Sequence, residues 1–177
     1  EDKISQGIDL INEQESDVIL FTGDIVNNTA DEMTPWIPLF SKLKAKDGKF
    51  SVLGNHDYGE YTRWKTIEEK EQNFQAIKDI HPKIGFNLLL NDSVYLEKET
   101  DKIALVGVEN WGTRFKKVGN LNLASSKIEN HDFKILMSHD PSHWEQEVKN
   151  HSNNYQLTLS GHTHGMQFGI EIPGIKW

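Results

Sequence analysis

Ser160-Gly161-His162-Thr163-His164-Gly165 follows directly on Tyr155-Gln156-Leu157-Thr158-Leu159, and the reading of the chain is organised around that junction. Tyr155, Leu157 and Leu159 alternate with polar residues, which predicts a half-buried strand. The strand runs into a loop bracketed by glycines, which tolerate positive φ and let the backbone approach a bound group closely. In extended backbone, residues i and i+2 point the same way, so the spacing predicts that His162 and His164 converge on one site. Neutral imidazole is the commonest metal-binding side chain. A polar turn with two solvated histidines is the competing reading, and the rest of the chain must supply further ligands.

Three earlier stretches repeat the pattern of a strand that stops at chemically useful groups. Asp17-Val18-Ile19-Leu20-Phe21 is a continuous apolar run, as expected for a strand covered on both faces, and it ends at Thr22-Gly23-Asp24. Phe50-Ser51-Val52-Leu53 leads into Gly54-Asn55-His56-Asp57, an amide, an imidazole and a carboxylate in succession. Asn can ligate a cation through its carbonyl oxygen, and Asp57 can orient the ring of His56. Phe133-Lys134-Ile135-Leu136-Met137 ends at Ser138-His139-Asp140-Pro141. In α/β proteins, sites collect at the carboxyl ends of such strands.

Composition narrows the chemistry. A chain of 177 residues, 36% hydrophobic and 26% charged, is enough for one soluble globular domain burying roughly 70% of its unfolded surface. Without cysteine, any metal must be held by nitrogen and oxygen. A net charge of −8 argues against a general nucleic-acid surface. No window reaches the roughly 18 apolar residues of a membrane span. Glu1-Asp2-Lys3 and Ile175-Lys176-Trp177 do not read as natural termini, so a fragment of a longer protein is expected.

Between the motifs, residues 3–15 read as an amphipathic helix, and Thr34 with Pro35 opens another that Asp47-Gly48 closes. Lys42, Lys44, Lys46 and Lys49 read as its solvated face. A narrow apolar stripe over residues 62–80 predicts a third helix, ended by His81-Pro82, with His81 as a cap or surface residue. Residues 86–90, 94–96 and 103–108 read as three successive strands paired antiparallel. Ser142-His143-Trp144-Glu145 has the form of a capping box. His131 and His151 lie in no motif and read as solvated.

Taken together, Gly23-Asp24, Gly54-Asn55-His56-Asp57, Ser138-His139 and Gly161-His162-Thr163-His164 resemble the motif series of the calcineurin-like metallophosphoesterases. The resemblance spans residues 17–165. The extension through Gly165-Met166-Gln167 is most similar to a bacterial, often membrane-anchored branch, and some members of related branches hydrolyse a nucleotide-linked lipid pyrophosphate. The implied fold is α/β, with two packed mixed β-sheets flanked by helices. This chain departs from the family in lacking its opening Asp-x-His block, and residues 1–177 are expected to be a single domain missing that first strand and the C-terminal strands. The second departure is Asn27, where the block that opens with Gly23-Asp24 usually ends in aspartate.

The resemblance implies two divalent metal ions, of manganese, iron, zinc or magnesium. Asn55, His139 and His162 would hold one, Asp24 would bridge, and His164 would serve the second, whose other two ligands would lie in the absent block. A hydroxide bridging the metals would attack a phosphomonoester, phosphodiester or pyrophosphate. His56 would protonate the departing oxygen, with Asp57 holding its ring. Asn110, Arg114 and His143 are candidate substrate contacts, each weighed against an ordinary loop or packing role. The implied partner is a phosphate-ester substrate, and membrane attachment would come through a missing upstream segment. The alternatives are a non-catalytic binding scaffold on the same fold and a nuclease, the latter disfavoured by the acidic charge.

Overall fold

The computed structural model describes residues 2–114, 116–164, 171–172 and 175–176. Its first sheet is parallel, in the order β1-β2-β3, built from Val18–Phe21, Gly48–Ser51 and Asn87–Leu88. The second has the order β4-β5-β6-β7, from Asp92–Lys98, Asp101–Gly107, Phe133–Met137 and Leu157–Leu159. Here β4 and β5 form an antiparallel pair, whereas β5, β6 and β7 run parallel. A two-stranded pair, β8 (Glu171–Ile172) and β9 (Ile175–Lys176), stands apart in the hydrogen-bonding pattern. This is the expected α/β architecture of two sheets flanked by helices, although among the described residues only the four-stranded sheet is mixed.

Three apolar clusters set the layers. Phe50, Val52, Leu89, Leu105 and Met137, with Val18, Leu20, Val94 and Ile135 against them, fill the space between the sheets. On the outer side of the first sheet, Ile8 from α1 (Asp2–Asn12) and Ile77 and Ile80 from α3 (Ile67–Lys83) pack with Ile19 and Phe21. On the outer side of the second, Val106 and Leu136 meet Leu121 and Ala124 of α4 (Leu121–Ala124). Each sheet is thus covered on both faces, which explains why β1 and β6 read as continuous apolar runs.

Several local expectations are corrected. The second helix, α2, covers only Ile37–Phe40 and has no N-cap at Thr34. It stops because Asn12, at the end of α1, donates from Nδ2 to Lys42 O (3.0 Å) and accepts at Oδ1 from Lys44 N (2.8 Å), capturing backbone that would otherwise extend the helix. Gly48 and Lys49 open β2, and Lys49 donates to the carbonyls of Leu43 and Ile84 rather than lying on a solvated helix face. Helix α3 runs through Pro82, and His81 is fully buried, its Nδ1 2.8 Å from Ser51 Oγ. The 86–90 stretch joins the first sheet in parallel with β2, because α3 is a crossover connection. The chain then changes sheet at Asn91, whose φ is +53°. The capping box gives way to Pro141 as N-cap of α5 (Ser142–Gln146), with Asp140 Oδ1 accepting from Ser142 N at 2.8 Å.

Candidate metal centre

Asp24 follows β1, Asn55 and His56 follow β2, His139 follows β6 and His162 follows β7. Four parallel strands, two from each sheet, therefore deliver their carboxyl ends to one rim. His139 Nε2 lies 3.1 Å from Asp24 Oδ2 and 3.1 Å from Asn55 Oδ1. His162 Nδ1 lies 2.8 Å from Asn55 Oδ1 and 3.3 Å from His139 Nε2. The ligand atoms of Asp24, His139 and His162 all fall within 4.8 Å of one another.

The outer atoms of these rings are held by protein. His139 Nδ1 donates to Thr22 O at 2.7 Å, which leaves its Nε2 lone pair facing the cluster when the ring is neutral. His162 Nε2 faces the carboxylate of Asp140 at 3.8 Å, an arrangement of the kind that orients metal-binding imidazoles. The inward atoms of Asp24, Asn55 and neutral His139 are acceptors with no hydrogen to share. Such a set repels itself unless a proton or cation lies among it, so the residues fit a divalent metal. The electrostatics agree. Burial works against the charge on Asp24, but the hydrogen bond and charge of His139 outweigh it and hold the carboxyl below its usual range. Burial equally disfavours a charged His139, yet Asp24 keeps that ring above its ordinary value.

Glycine makes the approach possible. A Cβ on Gly54 would sit 2.1 Å from Asp24 Oδ1 and 2.6 Å from His139 Cε1. Gly23, at φ +100°, places its own backbone against Gly54, where a Cβ would meet Gly54 N at 2.5 Å. Asp24 itself has φ +60°, a left-handed conformation uncommon outside glycine. It is held there by Asp57. That carboxylate is fully buried and accepts from Asp24 N (2.9 Å), Ile25 N (2.9 Å), Val26 N (3.4 Å) and Gly54 N (2.8 Å). Burial pushes its pKa up to about 6, the amides of Gly54, Asp24 and Val26 pull it down, and the negative charge of Asp24 adds to the rise.

The other sequence-derived candidates are placed as follows. His56 lies at the rim, its Nδ1 2.8 Å from Asn27 O; that carbonyl, and not Asp57, holds the ring. His164 is exposed and lines a cavity of about 420 Å³ together with Asp24 and His56. His162 and His164 adopt φ of +67° and +47°, so they reach the rim from a left-handed loop rather than from extended backbone. Arg114 lines a second cavity, about 400 Å³, with Asn55, Glu60, Tyr61 and Lys116. Asn110 is buried and donates to Lys116 O at 2.8 Å. His143 is buried, 2.8 Å from Ser138 Oγ and stacked on Trp111. His131 is 76% exposed, as expected, whereas His151 bonds Asn122 at 3.0 Å. Gly165, Met166 and Gln167 of the signature stretch lie outside the described residues, as does Phe115. Asp140 was missed by the sequence reading, although its position immediately after His139 was a usable signal.

The two-sheet sandwich thus gathers carboxylate, amide and imidazole groups at one rim, a donor set of the kind that holds a divalent cation. The chain belongs to the calcineurin-like phosphoesterase family, which matches residues 2–166. It is similar to the uncharacterized metallophosphoesterase YkuE of Bacillus subtilis (strain 168), at 32% identity over 92% of this chain and 51% of the relative. It is also similar to YkoQ of the same organism, at 28% identity over 93% of this chain and 56% of the relative. A metallophosphoesterase of Helicobacter pylori (strain J99 / ATCC 700824) is 26% identical over 94% of this chain and 40% of its own length. The chain thus spans about half the length of the first two relatives. No helix among the described residues is long and apolar enough to cross a membrane.

Proposed function

We propose that the chain carries the catalytic rim of a metal-dependent phosphoester hydrolase. The observation that carries this reading is the meeting of Asp24, Asn55, His139 and His162 as a lone-pair-rich set with His56 beside it. A divalent cation held there would supply Lewis-acid activation of water and offset charge on the phosphoryl oxygens. The chain's residues do the rest. His56 donates its Nδ1 proton to Asn27 O, which leaves Nε2 as the atom that exchanges a proton with the departing oxygen. Arg114, in the cavity beside Asn55, is placed to meet an anionic part of the substrate. Asp24 also lines the cavity that contains His164, which supports a second cation between those two residues.

The experiment is hydrolysis of paired aryl phosphates with good and poor leaving groups, in the full-length protein loaded with manganese. His56→Ala should slow the poor leaving group by about 10²–10⁴-fold and the good one far less. Equal effects on both would remove His56 from the proton-donor role. No turnover of monoesters, diesters or pyrophosphates by metal-loaded full-length protein would favour a binding scaffold instead.

A further inference from the structure

Tyr61 was not among the candidate residues, yet it touches two of them. Its hydroxyl lies 2.7 Å from Asn55 Nδ2, and its ring centroid is 4.6 Å from that of His56, tilted by 34°. We infer that Tyr61 is a positioning residue that holds the Asn55 amide with its oxygen toward the metal centre. The inference rests on the metal reading above and concerns how this chain prepares one of its ligands.

A primary amide has two chemically opposite ends. The oxygen can ligate a cation, whereas the NH₂ group can only donate hydrogen bonds. Turned by half a rotation, Asn55 would offer hydrogens to the lone pairs of Asp24 and His139 and compete directly with a cation. Asn55 is 3% exposed, so water has little access to steady its outer end. That end is met by Tyr61, whose phenolic oxygen accepts from Nδ2 while Oδ1 points at His139 and His162. A phenol can also donate, so Tyr61 fixes the plane and position of the amide. The cation's need for a lone pair then selects the flip.

The segment carrying Tyr61 is itself tethered. Gly59 turns with φ +62°, and its carbonyl accepts from Trp64 Nε1 at 2.7 Å. Glu60 pairs with Lys70 of α3 at 2.8 Å and with Lys116 at 3.3 Å. Tyr61 is thereby presented at the rim with its neighbours anchored on both sides, and 47% of it remains exposed. An exposed phenol is a poor contributor to the fold, which separates a role in ligand positioning from one in stability.

The test is the affinity of the protein for manganese, measured by titration calorimetry and by the electron paramagnetic resonance signal of the free ion. Tyr61→Phe should weaken binding at this site by about 10–100-fold, the usual cost of losing an outer partner of a metal ligand. The apo protein should melt within about 2 °C of the parent. Tyr61→Ala should weaken binding at least as much, because the ring is lost too. Affinity within twofold of the parent in Tyr61→Phe would overturn the inference, as would weaker binding accompanied by a large drop in apo melting temperature. Failure of the parent protein to bind manganese would instead overturn the metal reading itself.

Discussion

Asn55 and His162 lie 107 residues apart in sequence, yet Asn55 Oδ1 stands 2.8 Å from His162 Nδ1. The contact joins the loop after β2 to the loop after β7 and so closes the donor set across both sheets. Because His162 offers its ring nitrogen beside both Asn55 and His139, His162→Ala should lower manganese affinity by well over the 10–100-fold typical of an outer partner. Secondary structure should be unchanged. Calorimetric titration checks the first outcome and far-ultraviolet circular dichroism the second.

Asp57 should matter more to stability than to metal binding alone. Replacing it with alanine would strip the acceptor from the amides of Asp24, Ile25, Val26 and Gly54, in a place water does not reach. At about 1–3 kcal/mol for each buried donor left unpaired, Asp57→Ala should cost more than about 3 kcal/mol even after relaxation. For a chain of this size that corresponds to a fall of roughly 6–12 °C or more in melting temperature, readable by calorimetry.

Gly54→Ala is a sharper test of the rim. Its new methyl would stand 2.1 Å from Asp24 Oδ1, so the carboxylate or the loop must move. We expect loss of measurable manganese binding in a protein that still folds. Retention of parental affinity would mean that the rim is looser than these contacts indicate.

Acid sensitivity should trace in part to His81. Burial lowers its pKa from 6.5 to about 4, and its Nε2 is buried with no hydrogen-bond partner. Between those two values the unfolded chain binds the proton that the folded chain refuses. Stability is therefore lost as pH falls through this window and is fully present above about 6.5. Between pH 7 and pH 5 the loss should be about 2 kcal/mol, at about 1.4 kcal/mol per pH unit. Asp57, whose raised pKa favours the folded state as pH falls, works in the opposite direction. The check is therefore a comparison: the change in urea-measured stability between pH 7 and pH 5 should differ by about 2 kcal/mol between the parent and His81→Phe.

The strand-then-loop rhythm was readable because fully covered strands announce themselves as apolar runs, and each ended where a chemically distinctive group began. Asp24, Asn55, His139 and His162 were found that way. Tertiary partners were not readable. Nothing local to Asp57 reveals that its acceptors serve the amides of residues 24–26, or that His56 would find Asn27 instead. His81 looked like a helix-end residue because its burial depends on β2 packing beneath it. The two-residue spacing of His162 and His164 was read as extended backbone, whereas both histidines themselves take left-handed φ, which no local residue pattern announces. The short α2 was misjudged because Asn12, some 30 residues upstream, captures the backbone after it.

Asp24 and Asn55 arise from one sheet and His139 and His162 from the other, so an ion among them would act as a rivet through the sandwich. Denaturation in chelator and denaturation in excess manganese would then report on two differently braced molecules. At a thousandfold excess over Kd the bracing amounts to about 4 kcal/mol, enough for metal supply to govern how long the folded chain survives heat or proteolysis.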